Sequence, residues 1–379
     1  MRLSIYLAWA AIGLVVGRTN NNAAYFWLFV ALLYPAGILA TTVHEFGHAT
    51  ATWLVGGRVY SITIGAGRSI FRFRVGEFDL EFASNPFLGG CIFPFPGAGP
   101  PRKWKRAVIL VGGVVAEAIV GACVFLLLAK LDDAGSAAEG RFTQTLLKMM
   151  MLALAACLTL SAVINLWPMT IRRNRRILSS DGKQLLGLLG DRNFYDRAAY
   201  SRAIFTGLAL LRDGRQEDAR THFESAWADL ARSELFAGLV HATGKVVGPR
   251  AAAQLYFDHL ERMPPPGSFG MEWSNAMGNV AWHALLTGQP EWFGLADQLS
   301  TRAYTLSPHG PIKATRGAVL VAKGHRRAGE LIMRAALSEC AVQDQAEFCD
   351  FLARSKIADG DAVLGAEYAR LSKHLARAA

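Results

Sequence analysis

Charge is scarce in this sequence. Asp, Glu, Lys and Arg make up 18% of its 379 residues, against about 25% in ordinary soluble domains. With 52% hydrophobic residues and a mean hydropathy of +0.23, that scarcity excludes both a disordered chain and a wholly soluble basic one. Cysteine is also scarce. Cys91, Cys123, Cys157, Cys340 and Cys349 are odd in number, scattered and without a CxxC pair, which argues against a disulfide framework or a zinc ribbon. Histidine is almost missing from the first half: His44 and His48 are the only ones before His222.

The charge that is present is unevenly placed. The whole chain carries 40 Lys+Arg against 30 Asp+Glu, a net +10, which taken alone suggests a nucleic-acid partner. Residues 1–190 hold 18 Lys+Arg and 9 Asp+Glu, a net +9, whereas residues 191–379 hold 22 and 21, a net +1. The excess therefore sits beside long apolar runs, the pattern of the positive-inside rule. The partner it implies is a lipid bilayer, not nucleic acid. The expected domains are 1–190 in the membrane and 191–379 as a soluble unit.

Four apolar stretches stand out: Leu3–Gly17, Tyr25–Val55, Ala107–Ala129 and Thr145–Trp167. A bilayer core needs roughly 20 helical residues, so the last three qualify as spans. The first is short and reads as a span or signal anchor, with a cleaved signal as the alternative. Loop 57–106 carries Arg58, Arg68, Arg72, Arg74, Arg102, Lys103, Lys105 and Arg106, and the segment after the fourth stretch carries Arg172, Arg173, Arg175, Arg176 and Lys183. Four spans with both basic segments inside make a multi-pass cell-membrane protein whose C-terminal half is cytoplasmic.

The second stretch contains His44-Glu45-Phe46-Gly47-His48, the pattern H-E-x-x-H. On a helix, residues four apart share a face, so both imidazoles can bind one zinc ion while Glu45 acts as general base on the water it activates. Chance would give this pattern about 0.01 times in a chain of this composition. Glu45 and Glu117 are the only acids inside the spans, and ionisable groups at membrane depth mark function by default. From His48 to the expected helix end near Gly56 is ~12 Å, which places the pair inside the membrane toward the cytoplasmic side.

A catalytic zinc site needs a third protein ligand. Asp181, in Ser179-Ser180-Asp181-Gly182-Lys183, stands on the same cytoplasmic side as the histidines and is the preferred candidate. It could also serve as the N-cap of a helix over 183–189. Glu117, in mid-span, is the alternative ligand.

These residues together resemble the site-2 protease family of intramembrane zinc metalloproteases. The resemblance covers roughly residues 25–190. It rests on the HEFGH helix, on the Gly-rich alternating stretches Ser61–Gly67 and Phe71–Gly76 closed by Phe87-Leu88-Gly89-Gly90-Cys91, on Gly112-Gly113 in the third stretch, on Asn165-Leu166-Trp167-Pro168, and on Asp181-Gly182. The family often has Gly-Pro-x-x-Asn in its third span. Here that segment reads Gly113-Val114-Val115-Ala116-Glu117, with Glu in the Asn place. The resemblance implies His44, His48 and Asp181 as zinc ligands and Glu45 as the catalytic residue, with Asn165, Glu117, Gly89 and Gly90 as supporting residues. It also implies a membrane-associated β-loop and cleavage of a membrane-anchored protein in or near its transmembrane segment.

Residues 191–379 read as helices broken at Gly and Pro. Gly214, Gly288, Gly324 and Gly360 are 74, 36 and 36 apart, and small residues follow at +5 and +12 after three of them. The pattern resembles degenerate tetratricopeptide repeats, whose concave surfaces bind protein partners. The fold class expected is thus mainly α: a polytopic transmembrane domain with a short β-loop, then a soluble helical-repeat domain. A non-catalytic membrane scaffold with a structural metal site is the competing expectation.

Overall fold

The computed structural model describes residues 21–76, 78–85, 90–92, 101–133, 141–173, 176–265, 268–340 and 342–378. The first apolar stretch, Leu3–Gly17, and Gly89 lie outside the described residues, as do Phe87, Leu88 and Arg175. The chain is mainly helical and splits into two compact units at Arg202/Ala203.

The first unit is built on helices α1 (Asn21–Leu54), α2 (Lys103–Asp133) and α3 (Arg141–Leu166). Each contains a segment long and apolar enough to cross a membrane: Trp27–Leu54, Lys103–Lys130 and Gln144–Leu166. Their outward faces are apolar, with Ile119, Phe125, Leu126, Leu160 and Val163 all exposed. Their contact faces are small. Gly47 of α1 meets the Gly112 carbonyl and Ala116 of α2, and Gly112 in turn meets Ala51. Small residues let two helix backbones approach closely where apolar surroundings supply no hydrophobic drive to pack. Beyond Leu54 the chain leaves the helix through Gly56, at φ 76°. The Lys105 ammonium donates to the Val55 carbonyl at 2.9 Å, satisfying one of the carbonyls a helix end leaves open.

Between α1 and α2 lies a four-stranded sheet of β1 (Ser61–Ile64), β2 (Ala66–Val75), β3 (Phe78–Asn85) and β4 (Gly90–Ile92), in the order β2-β3-β1-β4. Strands β1 and β3 pair in parallel; the other pairs are antiparallel. Ile62 and Ile64 point inward and pack with Val59, Leu80 and Ala49, against which Ile38 and Phe46 of α1 also lie. Phe46 is two positions from both His44 and His48, so on a helix it faces away from them. One side of α1 thus seats the sheet and the other presents the histidines. After α3, the hairpin β5 (Thr170–Arg173) and β6 (Arg176–Ser179) leads into α4 (Asp181–Gly190).

In the second unit helices follow one another in antiparallel-hairpin fashion. Gly214, Gly288, Gly324 and Gly360 adopt φ of 75°, 66°, 87° and 83° in the turns joining Phe194–Arg212 to Gln216–Leu230, Ser274–Leu286 to Pro290–Leu306, Gly310–Ala322 to Arg326–Leu337, and Val342–Ala358 to Ala362–Ala378. This left-handed backbone is where glycine ends a helix most cheaply. The pair Ser233–Val246 and Pro249–Asp258 turns at Gly248. Trp273, Trp282 and Trp292 are buried. Trp282 and Trp292 belong to a core that includes Met333, Phe348, Leu352 and Tyr368.

His283 is buried in this unit, with no hydrogen-bond partner for Nδ1 among the described residues. Its ring occupies space that a side chain at Gly244 would fill. Burial, then the neighbouring His241 and Lys245, push the imidazole down to about 4, against the opposing pull of Glu347. Its folded pKa is below its unfolded value, so between pH 6.5 and about 4 the unfolded chain binds the extra proton. Stability should therefore fall as pH drops through that window, by up to about 3 kcal/mol. Amide exchange in Ser274–Leu286, corrected for intrinsic rates, should report this loss in the wild type and much less of it in His283→Leu.

Candidate metal centre

Helix α1 carries His44 and His48 one turn apart, both buried. Their Nε2 atoms are 2.9 Å from each other. Asp181 Oδ2, from the start of α4, lies 3.0 Å from His44 Nε2 and 3.1 Å from His48 Nε2. These three form the one group of potential metal-ligating side chains among the described residues. A tetrahedral zinc with bonds of ~2.0–2.1 Å has ligand atoms about 3.3 Å apart, so the triangle matches one face of such a site.

The hydrogen bonds behind the cluster fix which nitrogens face it. His48 Nδ1 lies 2.7 Å from the backbone carbonyl of Ile109. A carbonyl only accepts, so Nδ1 carries the proton and neutral His48 presents a lone pair at Nε2. His44 Nδ1 lies 3.2 Å from Glu117 Oε2 and 3.4 Å from the Asn165 amide nitrogen, which also reaches Ser161 Oγ at 3.2 Å. Both imidazoles therefore turn Nε2 toward Asp181 and Nδ1 away. This donor set, two imidazoles and one carboxylate converging on lone pairs, fits a zinc ion.

Asp181 is held where it is by its neighbours. Ser180, not Asp181, caps α4: its Oγ accepts from the Lys183 N–H at 3.3 Å and from the Met169 N–H at 3.1 Å, and donates to the Trp167 carbonyl at 2.6 Å. The capping alternative for Asp181 thus gives way to Ser180, which leaves the carboxylate free to face the histidines. A Cβ at Gly182 would collide with the Leu166 carbonyl, so the helix starts hard against the end of α3. Burial alone would raise the Asp181 carboxyl. When the two Nε2 atoms carry protons instead of facing a metal, their hydrogen bonds and charge outweigh this and hold it well below the usual carboxylate range.

Glu45 is buried beside His44. Glu117 approaches the far nitrogen of His44 and not the converging atoms, so the geometry assigns it no place among the three. Gly90 lies in β4 opposite Thr63. Sequence reasoning missed the Ile109 carbonyl and the Ser180 cap. A backbone acceptor leaves no mark on residue identity, whereas Ser before Asp-Gly is a cap signal that was open to reading.

His44, His48 and Asp181, converging beside apolar helices long enough to cross a membrane, could hold a metal ion. A family model described as peptidase family M50 matches residues 35–277. The chain belongs to peptidase family M50, the family toward which the site-2 protease resemblance pointed. The match continues past Arg202 into the second unit. A Chlamydia pneumoniae protein named "Putative zinc metalloprotease" is 27% identical over 120 residues, which cover 26% of this chain and 19% of that protein. The similarity thus spans about a fifth of the relative's length.

Proposed function

We propose that the chain is an intramembrane zinc metalloprotease that hydrolyses a peptide bond in or near a transmembrane segment of a membrane-anchored substrate protein. The observation that carries this reading is the convergence of His44 Nε2, His48 Nε2 and Asp181 Oδ2 within 3.1 Å of one another. Zinc bound there supplies Lewis acidity that acidifies water and polarises a carbonyl. Glu45, next to His44, takes a proton from the attacking water and returns it to the leaving amine. An extended substrate segment pairs with an open edge of the four-stranded sheet, which frees its scissile carbonyl from helical hydrogen bonding.

The three apolar helices support a multi-pass membrane protein. The basic residues of 57–106 and 172–183 support a cytoplasmic C-terminal half. The glycine-turned helix pairs there support a tetratricopeptide-like role in binding a substrate or regulator.

The test is metal content and cleavage together. The purified full-length chain should hold one zinc. His44→Ala and Asp181→Ala should each weaken zinc binding by more than about 100-fold, beyond the ~10–100-fold typical of outer-shell partners. Both should abolish cleavage of a membrane-anchored reporter in liposomes. Unchanged zinc affinity in Asp181→Ala would remove it from the ligand set.

A further inference from the structure

We infer that Glu117 is a positioning residue: its carboxylate holds His44 by Nδ1, so that Nε2 faces the ligand cluster. The inference rests on the reading of His44, His48 and Asp181 as zinc ligands. Glu117 is 1% exposed, in mid-helix within an apolar bundle. Its Oε2 lies 3.2 Å from His44 Nδ1, an ion-pair approach rather than an aligned hydrogen bond, and neither oxygen has a hydrogen-bond partner among the described residues. A buried carboxylate with one polar neighbour is expensive to keep. Its surroundings offer a return only through that imidazole.

The two histidines are anchored in parallel ways by one helix. His48 Nδ1 has the Ile109 carbonyl at 2.7 Å, and His44 Nδ1 has Glu117 Oε2 at 3.2 Å, with the Asn165 amide nitrogen at a looser 3.4 Å. Ile109 and Glu117 both belong to Lys103–Asp133, so α2 sets both rings from behind. An imidazole that donates its far N–H to a carboxylate is fixed in orientation and tautomer and becomes a more basic ligand.

The experiment uses the full-length chain in detergent, zinc competition against a chelator of known affinity, and the visible absorption of the cobalt-substituted protein. Glu117→Met fills the same space and removes the acceptor. Glu117→Gln keeps an oxygen that can accept from Nδ1–H. Glu117→Met should still take one metal at saturation, with affinity lowered about 10–100-fold and altered cobalt bands. Glu117→Gln should keep the wild-type bands and lose less affinity. Thermal unfolding of metal-free Glu117→Met should stay close to wild type, because the desolvation cost of the buried carboxylate is removed together with its one polar approach, to His44. Metal affinity and metal-free stability thus move apart, which a merely structural residue would not do. Wild-type affinity and cobalt bands in Glu117→Met would overturn the inference. Loss of metal in both variants, to the level of His44→Ala, would overturn it in favour of direct ligation. If wild type and His44→Ala hold equally little metal, the zinc reading itself has failed, and that result is distinct from the other two.

Discussion

Glu45→Gln should lower cleavage of a membrane-anchored substrate by about 10³-fold, within the ~10²–10⁴-fold typical of a lost general acid–base, while zinc content stays at the wild-type level. Metal binding and proton transfer are two jobs that fall to neighbouring residues, His44 and Glu45. His44 Nε2, His48 Nε2 and Asp181 Oδ2 converge within 3.1 Å of one another, and Glu45 is not among the grouped ligands. An amide keeps the size and burial of the side chain but cannot accept and return a proton at neutral pH. Metal binding and helix packing should therefore survive the change, and turnover should not. Cleavage within tenfold of wild type at matched zinc content would take the general-base role away from Glu45. It would also favour a scaffold in which the metal is structural.

Gly113→Ala should be nearly as damaging, for a different reason. A Cβ there would lie 2.7 Å from His44 Cε1, 2.7 Å from His48 Nε2 and 2.8 Å from His44 Nδ1. It would press on both imidazoles at once. The rings cannot simply retreat: His48 is tied to the Ile109 carbonyl and His44 faces Asp181 and Glu117. Nor can the helices separate without opening the contact of Gly47 with Gly112. We expect zinc affinity to fall by at least the ~10–100-fold seen when a ligand's support is lost, with cleavage falling below detection. Gly121→Ala is the matched control, since it lies on the same helix and an added Cβ there meets nothing within 4 Å. Chelator competition on both variants reads the difference. Equal zinc affinity in the two would show that the rings can shift after all.

The extent to which this site could be read in the sequence follows from the range of each interaction. His44 and His48 were legible because helical geometry alone puts residues four apart on one face. The turn glycines, Gly214, Gly288, Gly324 and Gly360, were legible because a left-handed turn selects its residue locally. Asp181 was legible as a candidate from its order in the chain, but its freedom to face the histidines depends on Ser180 taking the cap, an arrangement that also uses Trp167 and Met169. Glu117 stood out as an acid in an apolar span. Which atom of which histidine it meets was decided by how α1 crosses α2, and no single helix carries that information. The parallel pairing of β1 with β3, across the intervening β2, is likewise a non-local choice that strand patterns do not reveal.

His44 and Asp181 are 137 residues apart in the chain, and that distance has a meaning in time. A ribosome adds about 5–20 residues per second, so Asp181 emerges about 7–30 s after His44. Throughout that interval the growing chain carries His44, Glu45 and His48 without Asp181. The ligand set is complete only once the third apolar helix and the β5–β6 hairpin have been made. In the proposed protease, metal-dependent chemistry therefore waits until all three apolar helices are built.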